Sequence, residues 1–147
     1  MKLEQLLAET QAGLEEIKKL DFPLISQTKD WQSRYRVLMQ LGKKVPALPE
    51  KMKQADLLVK GCESRAWLLH YQDPANGKHF FILDSEARIV KGLMAVMLCL
   101  VNGKTSAELA NFDLTEQFEQ LNLTSHLSQS RSNGTHAMLT RIKSYIN

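Results

Sequence analysis

Apolar residues return at the helical period over the first twenty positions. Leu3, Leu6, Leu7, Leu14 and Ile17 share one stripe, and Glu4, Glu9, Glu15, Glu16 and several lysines lie opposite. This predicts an amphipathic helix from Met1 to about Leu20. Pro23, in "DFPLIS", breaks it. A second helix is expected to start between Thr28 and Asp30, either of which caps free N–H groups. Its buried stripe is Trp31, Tyr35, Leu38 and Leu41, and Gly42 suits its end. Pro46 and Pro49 then mark residues 45–56 as a connection, with one helical turn near Glu50.

Beyond that connection the pattern turns strand-like. "LLVKG" (57–61) reads as a short strand, residues 64–72 as a second, and "KHFFILD" (78–84) as the return. "DPANG" (73–77) supplies the turn, because proline fixes one φ and Asn-Gly tolerates positive ones. These three strands make a small antiparallel sheet whose faces are both partly apolar, so helices are expected to cover at least one face. Asp84 or Ser85 is expected to cap a helix reaching about Val101. That helix is apolar almost all round after Gly92, as a central core helix would be. Thr105 with Glu108 three residues on forms a capping box. A helix near Thr115–Gln120 follows, and the polar stretch 123–134 leads into a final helix. Helices, then strands, then helices predict a single α+β domain over residues 1–147, with a small three-stranded antiparallel sheet packed against helices. The sequence defines no role for the first 25 residues.

Composition changes this picture little. The chain has 147 residues, 44% hydrophobic and 24% charged, enough for one core without staples. The net charge of +3 is mild, and the basic pairs Lys18-Lys19 and Lys43-Lys44 are separated by acids, which argues against nucleic-acid binding. The acidic start does not read as a signal peptide. The most apolar run, Leu93 to Val101, is far shorter than the roughly 20 residues that span a bilayer. With only two cysteines as well, the expected setting is the cytoplasm, with no membrane partner.

Candidate chemistry centres on one thiol. No CxxC, HxxxH or HExxH is present, and His70, His79, His126 and His136 are scattered, so no metal site is predicted. His70 and His79 can face each other across the hairpin, but two ligands do not make a site. A cysteine hydrolase needs a base beside the thiol, and His70 lies about 26 Å along an extended strand from Cys62. Cys99, among Met97, Leu98, Leu100 and Val101, reads as a small buried hydrophobe. Cys62 follows a glycine at a turn in "VKGCESRAW". Lys60, Arg65 and local backbone N–H groups would lower its pKa, and apolar walls would raise it. From chemistry alone it is either a reactive thiol for sulfur exchange or a chance surface thiol or half-buried filler.

Four co-linear stretches resolve the choice. "WQSRYRVLMQLGKKVPALP" (31–49), "VKGCESRAWL" (59–68), "DSEARIVKGLMAVMLCLVNGKTSAEL" (84–109) and "LSQSRSNG" (127–134) closely resemble the SufE family of sulfur acceptors, its CsdE branch in particular. The resemblance runs from about Trp31 to the C-terminus. It departs at Asn133, where glutamine is common, and at Thr135, where leucine is common. It implies a fold like that of SufE and of IscU-type scaffolds. It also implies that Cys62 takes sulfur as a persulfide from a pyridoxal-phosphate-dependent cysteine desulfurase, CsdA-like or SufS-like. The cofactor belongs to that partner, and none is expected here. The sulfur then passes to a downstream acceptor or scaffold for iron–sulfur cluster assembly or related pathways. The protein would be an accessory carrier rather than a stand-alone enzyme. Gly61, Glu63, Ser64, Arg65, Asp84, Ser85, Ser130, Arg131 and Gly134 fall in the matching motifs as supporting or desulfurase-contacting candidates. Arg131 is expected near the thiol or at the desulfurase surface; the plainer alternative has Ser130 or Ser132 capping the last helix and Arg131 solvated. The rival class is a scaffold or interaction module binding a metal or cluster, against which two cysteines 37 positions apart speak.

Overall fold

The first helix, α1, covers Leu3–Lys18, and the second, α2, covers Trp31–Gly42. These and the elements below come from a computed structural model. It describes residues 2–20, 30–60, 64–121, 123 and 129–146, the side chains of residue 31 and of residues 129–131 excepted. Helix α1 buries Leu6, Leu14 and Ile17, three members of the expected stripe, together with Thr10 and Gly13. Helix α2 is capped by Asp30, whose side chain accepts from the Gln32 N–H at 2.9 Å. Leu38 and Leu41 are buried as expected, and Tyr35 packs at the edge of the core. Pro23 and Thr28 lie outside the described residues. Between α2 and the sheet the chain forms a strap, residues 43–60. It contains single 3₁₀ turns at Glu50–Met52 and Ala55–Leu57, the first where one helical turn was expected.

The sheet has three antiparallel strands in the order β1 (Ala66–Gln72), β2 (Lys78–Ser85), β3 (Lys104–Thr105). The hairpin turn is where the sequence put it, with Gly77 at φ +73°. The third strand is not. Residues 57–61 were expected to pair as a strand, but among the described ones, 57–60, Leu58 makes only an isolated bridge to Trp67. The preceding 3₁₀ turn curls the strap and limits pairing to the Val59 N–H, which donates to Ala66 O at 2.8 Å. The third position is filled by two residues after the core helix. Asn102 extends their role with its side chain, accepting from the Phe81 N–H at 3.0 Å and donating to Phe81 O at 3.1 Å.

The remaining helices are α3 (Arg88–Val101), α4 (Ser106–Leu109), α5 (Leu114–Gln120) and α6 (Gln129–Ile146). Helix α3 is the core helix, with eleven of its residues buried. It crosses α2 at close range. A Cβ on Gly92 would stand 1.9 Å from the carbonyl oxygen of Leu38, so only glycine permits this approach. The capping box of Thr105 and Glu108 is present, and Asp113 caps α5. Neither Asp84 nor Ser85 is the N-cap of α3, which is Ala87. Helix α6 starts earlier than expected: residues 130–134 are helical, not loop, so neither Ser130 nor Ser132 stands ahead of its first turn as a cap.

The cross-strand register sorts the sheet into two faces. Leu68, Leu83, His70 and Phe81 share one face, and Leu68, Leu83 and Phe81 join the main core with α3 and α6. Trp67, Asp84, Leu69 and Ile82 share the other. There Trp67 and Ile82 pack with Leu6 of α1 and Leu48 of the strap, and Met52, Leu57 and Leu58 close around them. The strap therefore covers the face opposite the main core, and it leads directly into the segment carrying Cys62.

Candidate functional site

Cys62, Gly61 and Glu63 lie outside the described residues. The structure instead fixes both ends of their segment. On the N-terminal side, the Val59 N–H bonds to Ala66 O. On the C-terminal side, Arg65 is held from several directions. Its carbonyl accepts from the Glu86 N–H at 3.0 Å and from Ser85 Oγ at 3.1 Å. Its guanidinium meets the Glu86 carboxylate through two 2.9 Å contacts, and its N–H donates to Glu86 Oε1 at 3.2 Å. This bidentate pairing holds the Glu86 carboxyl below its usual pKa and raises that of Arg65. The stem on which Cys62 stands is thus closed at Val59–Ala66 and clamped at Arg65. Ser64, half-buried, sits just above it.

Asp84 anchors the strap from below. Its side chain is 7% exposed and accepts from the Leu48 N–H at 2.9 Å. Two ammonium groups flank it, Lys53 at 3.5 Å and Lys91 at 3.3 Å. Burial works against the charge on Lys53, but the bond to Glu50 and the charge of Asp84 outweigh it and raise its pKa. Lys53 also lies 4.8 Å from the ring centre of Trp67, and Arg65 lies 5.5 Å from it, so the buried indole makes a cation–π contact with each. Ser85 Oγ accepts from the Ala87 N–H at 3.1 Å, steadying the entry to α3 without capping it.

The expected residues therefore divide. Ser64, Arg65, Asp84 and Ser85 gather around the stem. Ser130 and Arg131 stand in the first turn of α6, with side chains that are not described, and Gly134 is buried one turn on. Sequence reasoning missed Arg141 and Glu86. Arg141 donates from α6 to the carbonyls of Asp56 and Leu58, at 2.7 and 3.4 Å. The signal for Glu86 was its place in the third motif; Arg141 had none. Beside the stem, a groove of about 320 Å³ is lined by Val59, Lys60, Ala137, Thr140, Arg141 and Ser144.

Cys99 is structural, as its surroundings suggested. Its Sγ lies 3.7 Å from Leu14 O, and burial pushes its thiol up to about 12. His70 and His79 do meet, Nε2 to Nδ1 at 2.8 Å. They form a hydrogen-bonded chain rather than a metal site, since His79 Nε2 continues to Ser106 Oγ at 2.7 Å. Among the described residues, no three histidine, cysteine or acidic side chains are grouped to hold a metal ion. No helix among them is long and apolar enough to cross a membrane.

The family model for SufE, the Fe–S metabolism associated domain, matches residues 22–146. The chain is 47% identical over 108 residues to the sulfur acceptor protein CsdE of Escherichia coli K12, covering 74% of this chain and 73% of the relative. It is 40% identical over 116 residues to an uncharacterized SufE-like protein of Rhizobium etli, covering 78% of each. The solution structure of a hypothetical protein from Thermus thermophilus superposes with a TM-score of 0.64, covering 91% of this chain and 93% of the other, at 17% identity. That likeness concerns the fold, and it agrees with the α+β architecture. The extent of the family match and the identity to CsdE place this chain in the SufE family, on its CsdE side.

Proposed function

We propose that this protein is a sulfur acceptor, a single SufE-like domain that takes persulfide sulfur onto Cys62 from a cysteine desulfurase in the cytoplasm. Membership of the family carries the reading, since Cys62 stands in the motif "VKGCESRAWL". The clamped stem around it supports the same reading. A carrier thiol needs a loop that reaches a partner from a base that does not move, and the Val59–Ala66 and Arg65–Glu86 contacts provide such a base.

The transfer is an exchange at sulfur. The Cys62 thiolate attacks the outer sulfur of the desulfurase persulfide. A new S–S bond forms on Cys62, the desulfurase S–S bond breaks, and the desulfurase leaves as its thiolate. No external oxidant or reductant is needed. The pyridoxal phosphate that releases sulfur from free cysteine belongs to the partner. Docking stimulates the desulfurase by removing its product sulfur, and the persulfide then passes to a downstream acceptor or cluster scaffold. Cys99 takes no part, because a buried thiol with a pKa of about 12 carries almost no thiolate at neutral pH.

Incubation with a CsdA-like or SufS-like desulfurase and cysteine, followed by intact-mass measurement, tests this reading. One added sulfur, about 32 Da, is expected on Cys62, and none after Cys62→Ser. Sulfur found on Cys99, or none with either type of desulfurase, overturns it.

A further inference from the structure

We propose that Arg141 is a positioning residue for the sulfur-accepting loop: it clamps the strap that feeds Cys62 onto helix α6. This rests on the reading of Cys62 as the acceptor thiol. The geometry is that of a fork bridging two rungs. Nη2 donates to Asp56 O at 2.7 Å and Nη1 to Leu58 O at 3.4 Å, two carbonyls on alternate residues of the strap. The guanidinium is itself held. Its Nε donates to the Tyr145 hydroxyl at 3.4 Å, and its carbon lies 5.7 Å from the Tyr145 ring centre. Tyr145 is in turn stacked on His70 of β1, with ring centres 4.6 Å apart. The strap is therefore referred, through one side chain, to a helix seated on the sheet.

The position of this clamp gives it consequence. Leu58 precedes Val59, whose N–H closes the stem against Ala66, and Cys62 is four residues beyond Leu58. From the far side the stem is held by Arg65 and Glu86. From the near side the strap is held at Leu48 by Asp84, ten residues before Leu58. Among the described residues, the polar tie between α6 and that stretch is Arg141. The groove beside the stem has Val59 and Lys60 on one wall and Ala137, Thr140 and Ser144 on the other, with Arg141 joining the two. Arginine suits the task because its planar donors are fixed relative to one another, whereas a lysine ammonium serves one carbonyl well and the second poorly. Misplacing a nucleophile by about 1 Å can cost up to roughly a hundredfold in rate.

The test uses the full chain as wild type, Arg141→Ala and Arg141→Lys, with three readouts: persulfide transfer from a desulfurase at several acceptor concentrations, alkylation of Cys62 by iodoacetamide without desulfurase, and thermal melting. Arg141→Ala is expected to lower the maximal transfer rate about tenfold while the half-saturating concentration stays within about twofold. Its Cys62 alkylation rate should change at least about threefold, and Arg141→Lys should fall between the two. Wild-type transfer and alkylation in Arg141→Ala overturn the proposal. So does a change confined to half-saturation, which marks a docking contact, or a loss of rate that vanishes on cooling below the melting transition, which marks a merely structural role. Should Arg141→Ala not fold, Arg141→Lys decides, and wild-type behaviour in it is fatal to the idea. If the wild type takes up no sulfur from any desulfurase, the acceptor reading fails, and the alkylation comparison still decides whether Arg141 orders the loop.

Discussion

Arg65 and Glu86 close on each other through two parallel 2.9 Å contacts, Nε to Oε1 and Nη2 to Oε2, while their backbones share a further bond from the Glu86 N–H to Arg65 O. Both side chains are solvent-exposed, 67% and 47%. Exposed pairs contribute little to folding, so the value of this one lies in where it stands, three residues after Cys62. Glu86→Ala is expected to leave the melting temperature within a few degrees and to change the alkylation rate of Cys62 by at least about twofold. Melting curves with iodoacetamide kinetics check both at once. An unchanged alkylation rate would show that the backbone bonds alone hold the stem.

Asp84 is the opposite case, a buried carboxylate with four partners, the Leu48 and Ser85 N–H groups and the Lys53 and Lys91 ammonium groups. Asp84→Ala leaves the Leu48 and Ser85 N–H groups without their side-chain acceptor, takes the carboxylate from Lys91 and leaves Lys53 with Glu50 alone; the two lysine side chains are 16% and 18% exposed. Breaking a buried ion pair by removing one partner costs about 3–5 kcal/mol. The low end is expected here, because both ammonium groups can still reach water. Asp84→Asn keeps an acceptor for Leu48 and should lose roughly half as much. Urea unfolding of the two variants measures this, and a loss below about 1 kcal/mol for Asp84→Ala would mean the strap is held by its apolar contacts alone.

The same residue shows what a sequence does and does not disclose. Asp84 ahead of an apolar helix looks like an N-cap, and no local pattern indicates a bond to Leu48, 36 positions back. The helices were legible because their apolar stripes are long and their caps local, as at Asp30 and in the Thr105–Glu108 box. The hairpin was legible because "DPANG" is a turn in its own right. The third strand was not, because two residues carry no period and Asn102 completes the pairing with a side chain. "LLVKG" carries the right residues for a strand, but the 3₁₀ turn before it bends the strap, leaving a single bridge. At the site, Cys62 stood out by its motif and lies outside the described residues, whereas Arg141 looks from sequence like any arginine on a helix. Contacts made across the fold leave no local trace.

Arg131 stands in the first turn of α6, at the end of the helix remote from Arg141. We expect its guanidinium to serve the thiolate or an acidic desulfurase surface. A charge-assisted bond of that kind contributes about 1.5–3 kcal/mol, so Arg131→Ala should slow persulfide transfer about tenfold or more. Stability should stay within about 1 kcal/mol. Transfer within about twofold of wild type would remove Arg131 from the site, and a melting temperature that falls before the rate does would make it structural.

The last expectation concerns acid. Ser106 Oγ donates to Ile146 O at 3.2 Å, and a carbonyl can only accept, so the hydroxyl must receive its other bond from His79 Nε2–H. A neutral His79 then presents a bare Nδ1, and His70 Nε2–H fills it at 2.8 Å. The whole chain runs one way, from His70 on β1 to the last turn of α6, and it requires His79 to be neutral. Burial, and then the neighbouring His79, lower the pKa of His70 to about 4, and burial lowers that of His79. Above about pH 6.5 the folded and unfolded chains both hold these rings neutral, and stability is complete. As pH falls from 6.5 towards 4 the unfolded chain binds protons that the folded chain refuses, so stability falls; below about 4 the His70 contribution levels off. At pH 5 the full shift of His70 corresponds to a loss on the order of 2 kcal/mol, which solvent screening of the half-buried ring reduces to about 1 kcal/mol. His70→Gln keeps a donor for His79 and cannot titrate. Its urea midpoint should therefore decline less than the wild type's between pH 7.5 and 5, while the carboxylates, common to both, cancel in the difference. Parallel declines would show that His70 is free to protonate in the folded protein and that the chain to Ile146 is not closed.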